Sequence, residues 1–177
     1  MLKRILCATL ASGALVLSGS AAAQELKIAL IAGKTGPLEA YAKDTEKGFM
    51  LGLEYLTNGT MALNGRKIRV IVKDDQLKPD LGKAMLAEAY ADDKVDIAVG
   101  TTSSGVALAM LPVAEEYKKV LIVEPAVADA ITGDKWNRYI FRTGRNSAQD
   151  GLASAATLKS GGSVAYLAQD YAFGRDG

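Results

Sequence analysis

Residues 96–128 read DIAVGTTSSGVALAMLPVAEEYKKVLIVEPAVA, and their pattern decides the fold. The apolar run Asp96 to Gly100 breaks into the small residues Thr101, Thr102, Ser103, Ser104 and Gly105, then resumes as an apolar pattern of helix length. A second apolar run, Val120 to Val123, ends in Pro125, Ala126, Val127 and Ala128. Two strands joined by a helix make a parallel βαβ unit, so both small-residue loops leave the same, carboxyl edge of one sheet. Ligands of open α/β sheets bind along that edge.

The first of these loops has chemistry of its own. Ser103 or Ser104 occupies the N-cap position of a helix whose first-turn N–H groups lack intrahelical partners. An anion placed there meets those donors, the serine hydroxyls and the positive end of the helix dipole, and a carboxylate fits. The competing reading is that the serines only cap the helix, a contribution of roughly 1 kcal/mol. Pro112 falls inside the helix and is expected to kink it or divide it in two.

Toward the N terminus, Leu26 to Ala32 (LKIALIA) is a mostly apolar run, as in a strand covered on both faces. The following loop, Gly33 to Pro37, contains a GKT triplet, but a Walker A motif needs glycine where Ile28 stands, and no G-x-G-x-x-G follows the strand. Nucleotide binding by this loop is therefore rejected. Leu38 to Thr57 reads as an amphipathic helix with Phe49, Leu53 and Leu56 at helical spacing and Asn58-Gly59 as its stop signal. Asn64-Gly65 marks a turn. Arg66 to Asp75 alternates apolar and charged residues, as an edge strand with one solvated face does. Asp74 and Asp75, with no histidine anywhere in the chain, read as loop and capping carboxylates rather than metal ligands.

Pro79 to Asp93 is the next helix, with proline tolerated in its first turn. Beyond Ala128 the pattern predicts a helical turn at Ile131 to Lys135, a strand at Tyr139 to Thr143 and a helix at Ser147 to Lys159. A strand follows at Ser163 to Ala168, and a helix begins at Phe173 to Gly177. That last strand needs neighbours to be buried, which is the pattern expected of the front part of a longer protein. Strand and helix alternate throughout, so the class is α/β with a Rossmann-like open parallel sheet.

The 177 residues are 23% charged and 49% apolar, an ordinary globular balance that excludes a disordered or strongly basic, nucleic-acid-binding chain. Residues 1–23 differ: Lys3 and Arg4 precede the apolar run Ile5 to Leu17, and Ser20-Ala21-Ala22-Ala23 supplies small residues for cleavage, as in a secretory signal peptide. Removing them lowers the basic residues from 21 to 19 against 20 acidic ones, a net charge of −1. The sole cysteine, Cys7, goes with them, so no disulfide is expected. A Ser-His hydrolase is disfavoured, since GTTSSG misplaces serine for G-x-S-x-G and histidine is lacking.

Taken in order, TGPLEAYA, VGTTSSGVALAMLPVAEE, EPA, YIFRT and QDYAFG resemble the type I periplasmic solute-binding proteins, specifically the branched-chain amino-acid-binding (leucine/isoleucine/valine-binding-like) group of ABC-transporter receptors. The resemblance implies two Rossmann-like lobes closing on a ligand. Residues 24–141 would form an incomplete lobe one, 142–144 the first hinge crossing, and 145–177 the start of lobe two. It implies a periplasmic, non-catalytic monomer without cofactor, holding a small carboxylate and delivering it to a membrane permease. A sensory receptor domain of the same fold is the alternative. By position, Ser104 and Ser103 would hold the ligand carboxylate and Ala126 would use its backbone carbonyl. Tyr41 would line lobe one and Phe173 would close from lobe two. Amino-acid binders of the group often carry threonine where Ala128 stands. The expected ligand is a branched-chain or other aliphatic amino acid, or an aromatic acid lying between Tyr41 and Phe173, and the missing threonine tilts the choice slightly toward the aromatic acid. Arg145 and Asn146 read as surface and capping residues.

Overall fold

The structure is a computed structural model that describes residues 24–176. The expected signal peptide, residues 1–23, lies outside the described residues. A six-stranded sheet runs in the order β2-β3-β1-β4-β5-β6, formed by β1 (Leu26–Ala32), β2 (Ala62–Leu63), β3 (Arg66–Asp74), β4 (Ile97–Gly100), β5 (Val120–Val123) and β6 (Ile140–Arg142). All pairings are parallel except the β2–β3 hairpin.

Alternate residues of β1 feed two cores. Ala29 and Ile31 join Leu86, Val106, Met110 and Leu121 beneath α2 (Pro79–Ala91) and α3 (Ser104–Tyr117). Ile28 and Leu30 join Leu53 of α1 (Glu39–Leu56), with Ile68 and Val99, on the other face. Burial on both faces is why the strand reads as a continuous apolar run. Within α1, Leu53 is buried and Phe49 packs against the core, but Leu56 is exposed.

Two Asn-Gly signals act as expected. In the hairpin, Asn64 and Gly65 both take positive φ (49° and 79°), as a two-residue primed turn requires. At the end of α1 the Gly59 N–H returns to Glu54 O (2.8 Å) and the Asn58 N–H to Tyr55 O (3.3 Å), a Schellman closure with Asn58 left-handed. β2 pairs only with Arg66 and Lys67, so most of β3 is an edge. Its charged side is used: Lys73 Nζ lies 2.8 Å from both Glu88 Oε1 and Asp93 Oδ2, tying β3 to the α2 end of the sheet.

Four expectations are corrected. Of the two outcomes expected at Pro112, division does not occur: α3 is one helix from Ser104 to Tyr117. Pro112 itself lies on the exposed side of the helix. Burial of Val106, Met110, Leu111 and Val113, each contributing roughly 1.5–3 kcal/mol, outweighs the proline penalty of about 3 kcal/mol. The helical turn lies at Asp129–Ile131 rather than Ile131 to Lys135. The helix from Ser147, here α4, ends at Ala155, and a capping box between Asn146 and Gln149 starts it. Ser163 to Ala168 forms no strand; these residues are exposed and pair with no strand among the described residues. The last helix, α5, spans Ala172–Asp176.

Candidate functional site

The strand order places a topological switch between β1 and β4, because the chain leaves β1 toward β3 and then crosses to the other side. A crevice opens at the carboxyl ends of strands at such a point. Here it is a cleft of about 220 Å³. Leu38 comes from the end of the β1–α1 connection and Tyr41 from the first turn of α1, Thr102 from the β4–α3 connection and Ser104 from the start of α3, and Pro125, Ala126 and Val127 from the loop after β5. Arg145, Gln169, Tyr171 and Phe173 close the remaining side.

Of the residues singled out in the sequence, Ser104, Ala126, Tyr41 and Phe173 meet in this cleft. Ser103 and Ala128 do not line it. Ser103 is the N-cap of α3 by position, yet its side chain makes no capping bond. The first-turn N–H groups of α3 are thus not satisfied by that hydroxyl. Ser104 Oγ instead accepts from the Ala128 N–H at 3.2 Å. The bond stitches the helix start to the β5 loop and leaves the hydroxyl proton free to donate. Ala128 is fully buried, so its part is to hold Ser104 rather than to offer a side chain. Tyr41 is 63% exposed, as a wall residue of an open cleft would be, and the rings of Tyr171 and Phe173 stand 6.0 Å apart at 45°. Burial raises the Tyr171 phenol above its ordinary pKa.

The loops are braced from below by carboxylates. Asp74 accepts from the Lys34 N–H (2.9 Å), the Thr35 hydroxyl (2.5 Å) and the Gln76 N–H (3.0 Å). Burial opposes ionisation of Asp74, but these bonds win and hold it below the usual carboxylate range. Lys34 Nζ pairs with Glu46 (2.8 Å), so the GKT triplet is spent on internal ties. Asp75 is fully buried: it accepts from the Thr101 hydroxyl and, at 2.8 Å, from the Leu77 N–H. Thr102 Oγ1 accepts from the Gly33 N–H at 3.1 Å, joining the first two loops.

Burial raises the Asp75 pKa, with the Thr101 and Leu77 bonds pulling it back. A carboxyl whose folded pKa exceeds its unfolded value contributes stability that is fully present below the unfolded pKa. That contribution is lost as pH rises through the folded one. Asp75→Asn should therefore flatten the loss of stability as pH rises from the ordinary carboxylate range, near 3.8, through the raised value. Urea midpoints of wild type and variant across that window check it; parallel pH curves would contradict it.

Arg142, at the end of β6, was not singled out as a ligand-site residue, yet it organises the β5 loop. Its guanidinium donates to Val127 O (2.9 Å), Ala128 O (2.8 Å) and Thr132 Oγ1 (2.7 Å). Burial lowers its pKa and Asp129 works against that. Arg145, read from sequence as a surface residue, lines the cleft while its Nε donates to Asp150 at 2.6 Å. Neither role has a local sequence signal, since the acceptors of Arg142 lie in the loop after β5 and the cleft that Arg145 reaches is assembled by other strands.

A family model described as "Periplasmic binding protein" matches residues 25–177. The chain is similar to a crystal structure of an ABC-type branched-chain amino acid transporter from Rhodopseudomonas palustris, 73% identical with a TM-score of 0.76, covering 86% of this chain and 41% of that one. A solute-binding protein of an ABC transporter from R. palustris BisB5, in complex with 3,4-dihydroxy benzoic acid, is 32% identical with a TM-score of 0.72, over 86% of this chain and 41% of that one. The Leu/Ile/Val-binding protein homolog 3 of Brucella melitensis is 28% identical over 156 residues, 88% of this chain and 42% of that protein. The chain thus spans about two-fifths of the length of these relatives.

Proposed function

The chain belongs to the periplasmic binding protein family, and on that premise we propose that it is part of a solute receptor that captures a small carboxylate and delivers it to the permease of an ABC transporter. The observation that carries this reading is the meeting of Ser104 and the uncapped start of α3 with Tyr41 and Phe173 in one cleft at the carboxyl edge of the sheet. Free helix-start amides and a serine hydroxyl are acceptor-seeking groups, and they suit a carboxylate. Aromatic walls suit an apolar body, aliphatic or aromatic.

In this reading residues 24–141 belong to the first lobe, 142–144 are a hinge crossing, and residues from 145 onward belong to the second lobe. The receptor works in the periplasm as a monomer and catalyses nothing. Closure follows from contacts that both lobes make only when ligand is present.

A thermal-shift assay on the full-length protein with 3,4-dihydroxybenzoate and L-leucine tests the reading. Ligand at a hundredfold excess over Kd contributes about 2.7 kcal/mol, enough to raise the melting temperature measurably. Ser104→Ala removes one donor to the anion and should weaken binding roughly tenfold, about 1.4 kcal/mol. No shift from any small carboxylate would end the proposal, and an unaltered Kd in Ser104→Ala would return Ser104 to a purely structural part.

A further inference from the structure

From the end of β4 into the first residue of α3 the chain carries hydroxyl residues without a break, Thr101 to Ser104, and the backbone sorts them. Thr101 points away to the buried Asp75. Ser103 is extended (φ −92°, ψ 129°), and across an extended residue the two flanking side chains project to the same side. Thr102 and Ser104 accordingly both line the cleft, and Ser103 between them does not. Adjacent serines suggest a Ser103–Ser104 pair; the alternation makes it Thr102 and Ser104.

These two hydroxyls are held in the same way. Gly33 and Ala128 are buried, and each donates its N–H to one of them, Gly33 to Thr102 Oγ1 at 3.1 Å and Ala128 to Ser104 Oγ at 3.2 Å. A backbone N–H can only donate, so each hydroxyl is the acceptor in that bond and keeps its own proton to give. The two donors belong to the loops after β1 and β5, the strands on either side of β4, so both oxygens are fixed relative to the start of α3. Desolvated hydroxyls with protons to give suit an acceptor that has two oxygens and a charge, as a carboxylate does.

We infer that Thr102 is a ligand-binding residue whose hydroxyl donates to the ligand carboxylate alongside that of Ser104. This deepens the carboxylate-receptor reading above and rests on it. The γ-methyl of Thr102 leaves the hydroxyl role untouched, so serine should replace threonine here and valine should not.

The first test is a crystal structure of the full-length protein with 3,4-dihydroxybenzoate or L-leucine, whichever binds more tightly. A carboxylate oxygen is expected about 2.5–3.0 Å from Thr102 Oγ1. A carboxylate held by Ser104 and α3 alone overturns the inference and leaves the receptor standing. The second test is titration calorimetry with the same ligand and with its uncharged carboxamide. Thr102→Val keeps the shape and removes the hydroxyl; it should weaken the carboxylate roughly tenfold and the carboxamide by no more than about threefold, since bonds to a charged acceptor are the stronger ones. Thr102→Ser should stay within about twofold of wild type for both. Valine also takes the acceptor from the Gly33 N–H, and a role confined to bracing that loop would weaken both ligands equally, which overturns the inference. If Thr102→Val does not fold, the liganded wild-type structure decides by itself. Binding of neither probe, nor of any other small carboxylate, overturns the receptor reading and the inference with it.

Discussion

Gly100→Ala should destabilise the protein by about 3–5 kcal/mol, a large part of the 5–15 kcal/mol that holds a typical domain folded. Gly100 ends β4 with φ at +141°, a region that L side chains rarely enter, at a cost of roughly 1–3 kcal/mol. A Cβ there would also lie 1.9 Å from the Ile31 carbonyl oxygen on the neighbouring strand β1. That atom belongs to the backbone at the centre of the sheet, so it cannot swing aside, and separating the strands adds an overpacking cost of similar size. The same substitution at Gly52, exposed in α1 with nothing within 4 Å of the added carbon, should instead stabilise by about 0.5–1 kcal/mol. Urea denaturation of the two variants beside wild type gives both signs in one experiment. A neutral Gly100→Ala would mean that the β1–β4 switch is looser than its geometry.

Arg142→Met should cost about 2–4 kcal/mol in stability and weaken ligand binding roughly tenfold. The guanidinium is the shared partner of the Val127 and Ala128 carbonyls and of the Thr132 hydroxyl, and methionine removes all three bonds, leaving Val127 O to the Ser147 N–H and Ala128 O to the Ile131 N–H. Its Nε is buried without a partner, so the net loss is smaller than a sum over every bond would suggest. The effect on binding follows from position. Val127 lines the cleft, and the Ala128 N–H fixes Ser104 Oγ, so a loosened β5 loop moves two walls at once. Arg142→Lys should recover only part of both, because an ammonium lacks the planar fork that reaches separate acceptors. The readouts are the urea midpoint and the Kd of the full-length protein. Lost stability with an unchanged Kd would confine Arg142 to holding the fold.

Much of the architecture was legible because its causes are local. β1 declared itself by apolar residues on both faces, the hairpin by Asn64-Gly65, and the end of α1 by Asn58-Gly59. The small residues after β4 and β5 marked the cleft, and Ser104, Ala126, Tyr41 and Phe173 were brought to it. Where reading failed, the deciding partner was distant in sequence. Pro112 looked like a breaker until the burial of its neighbours was known, and Ser163 to Ala168 has strand composition but no strand beside it among the described residues. The serines at the start of α3 were read as anion-holding, with capping as the competing reading; the acceptor role of Ser104 toward Ala128 depends on a loop 24 residues away.

The amino-acid sequence by itself determined the alternation of strand and helix, the carboxyl-edge location of the small-residue loops and the places where the chain turns, since each follows from periodicity and backbone preference within a few residues. Only the tertiary structure decided that β1 lies between β3 and β4, that Asp75 and Arg142 brace the loops from beneath, and that Arg145, paired with Asp150, reaches the cleft wall. These depend on strand order and on hydrogen bonds between residues far apart in the chain. A buried carboxyl or guanidinium takes whichever partner the packed sheet brings to it, and no local pattern encodes that choice.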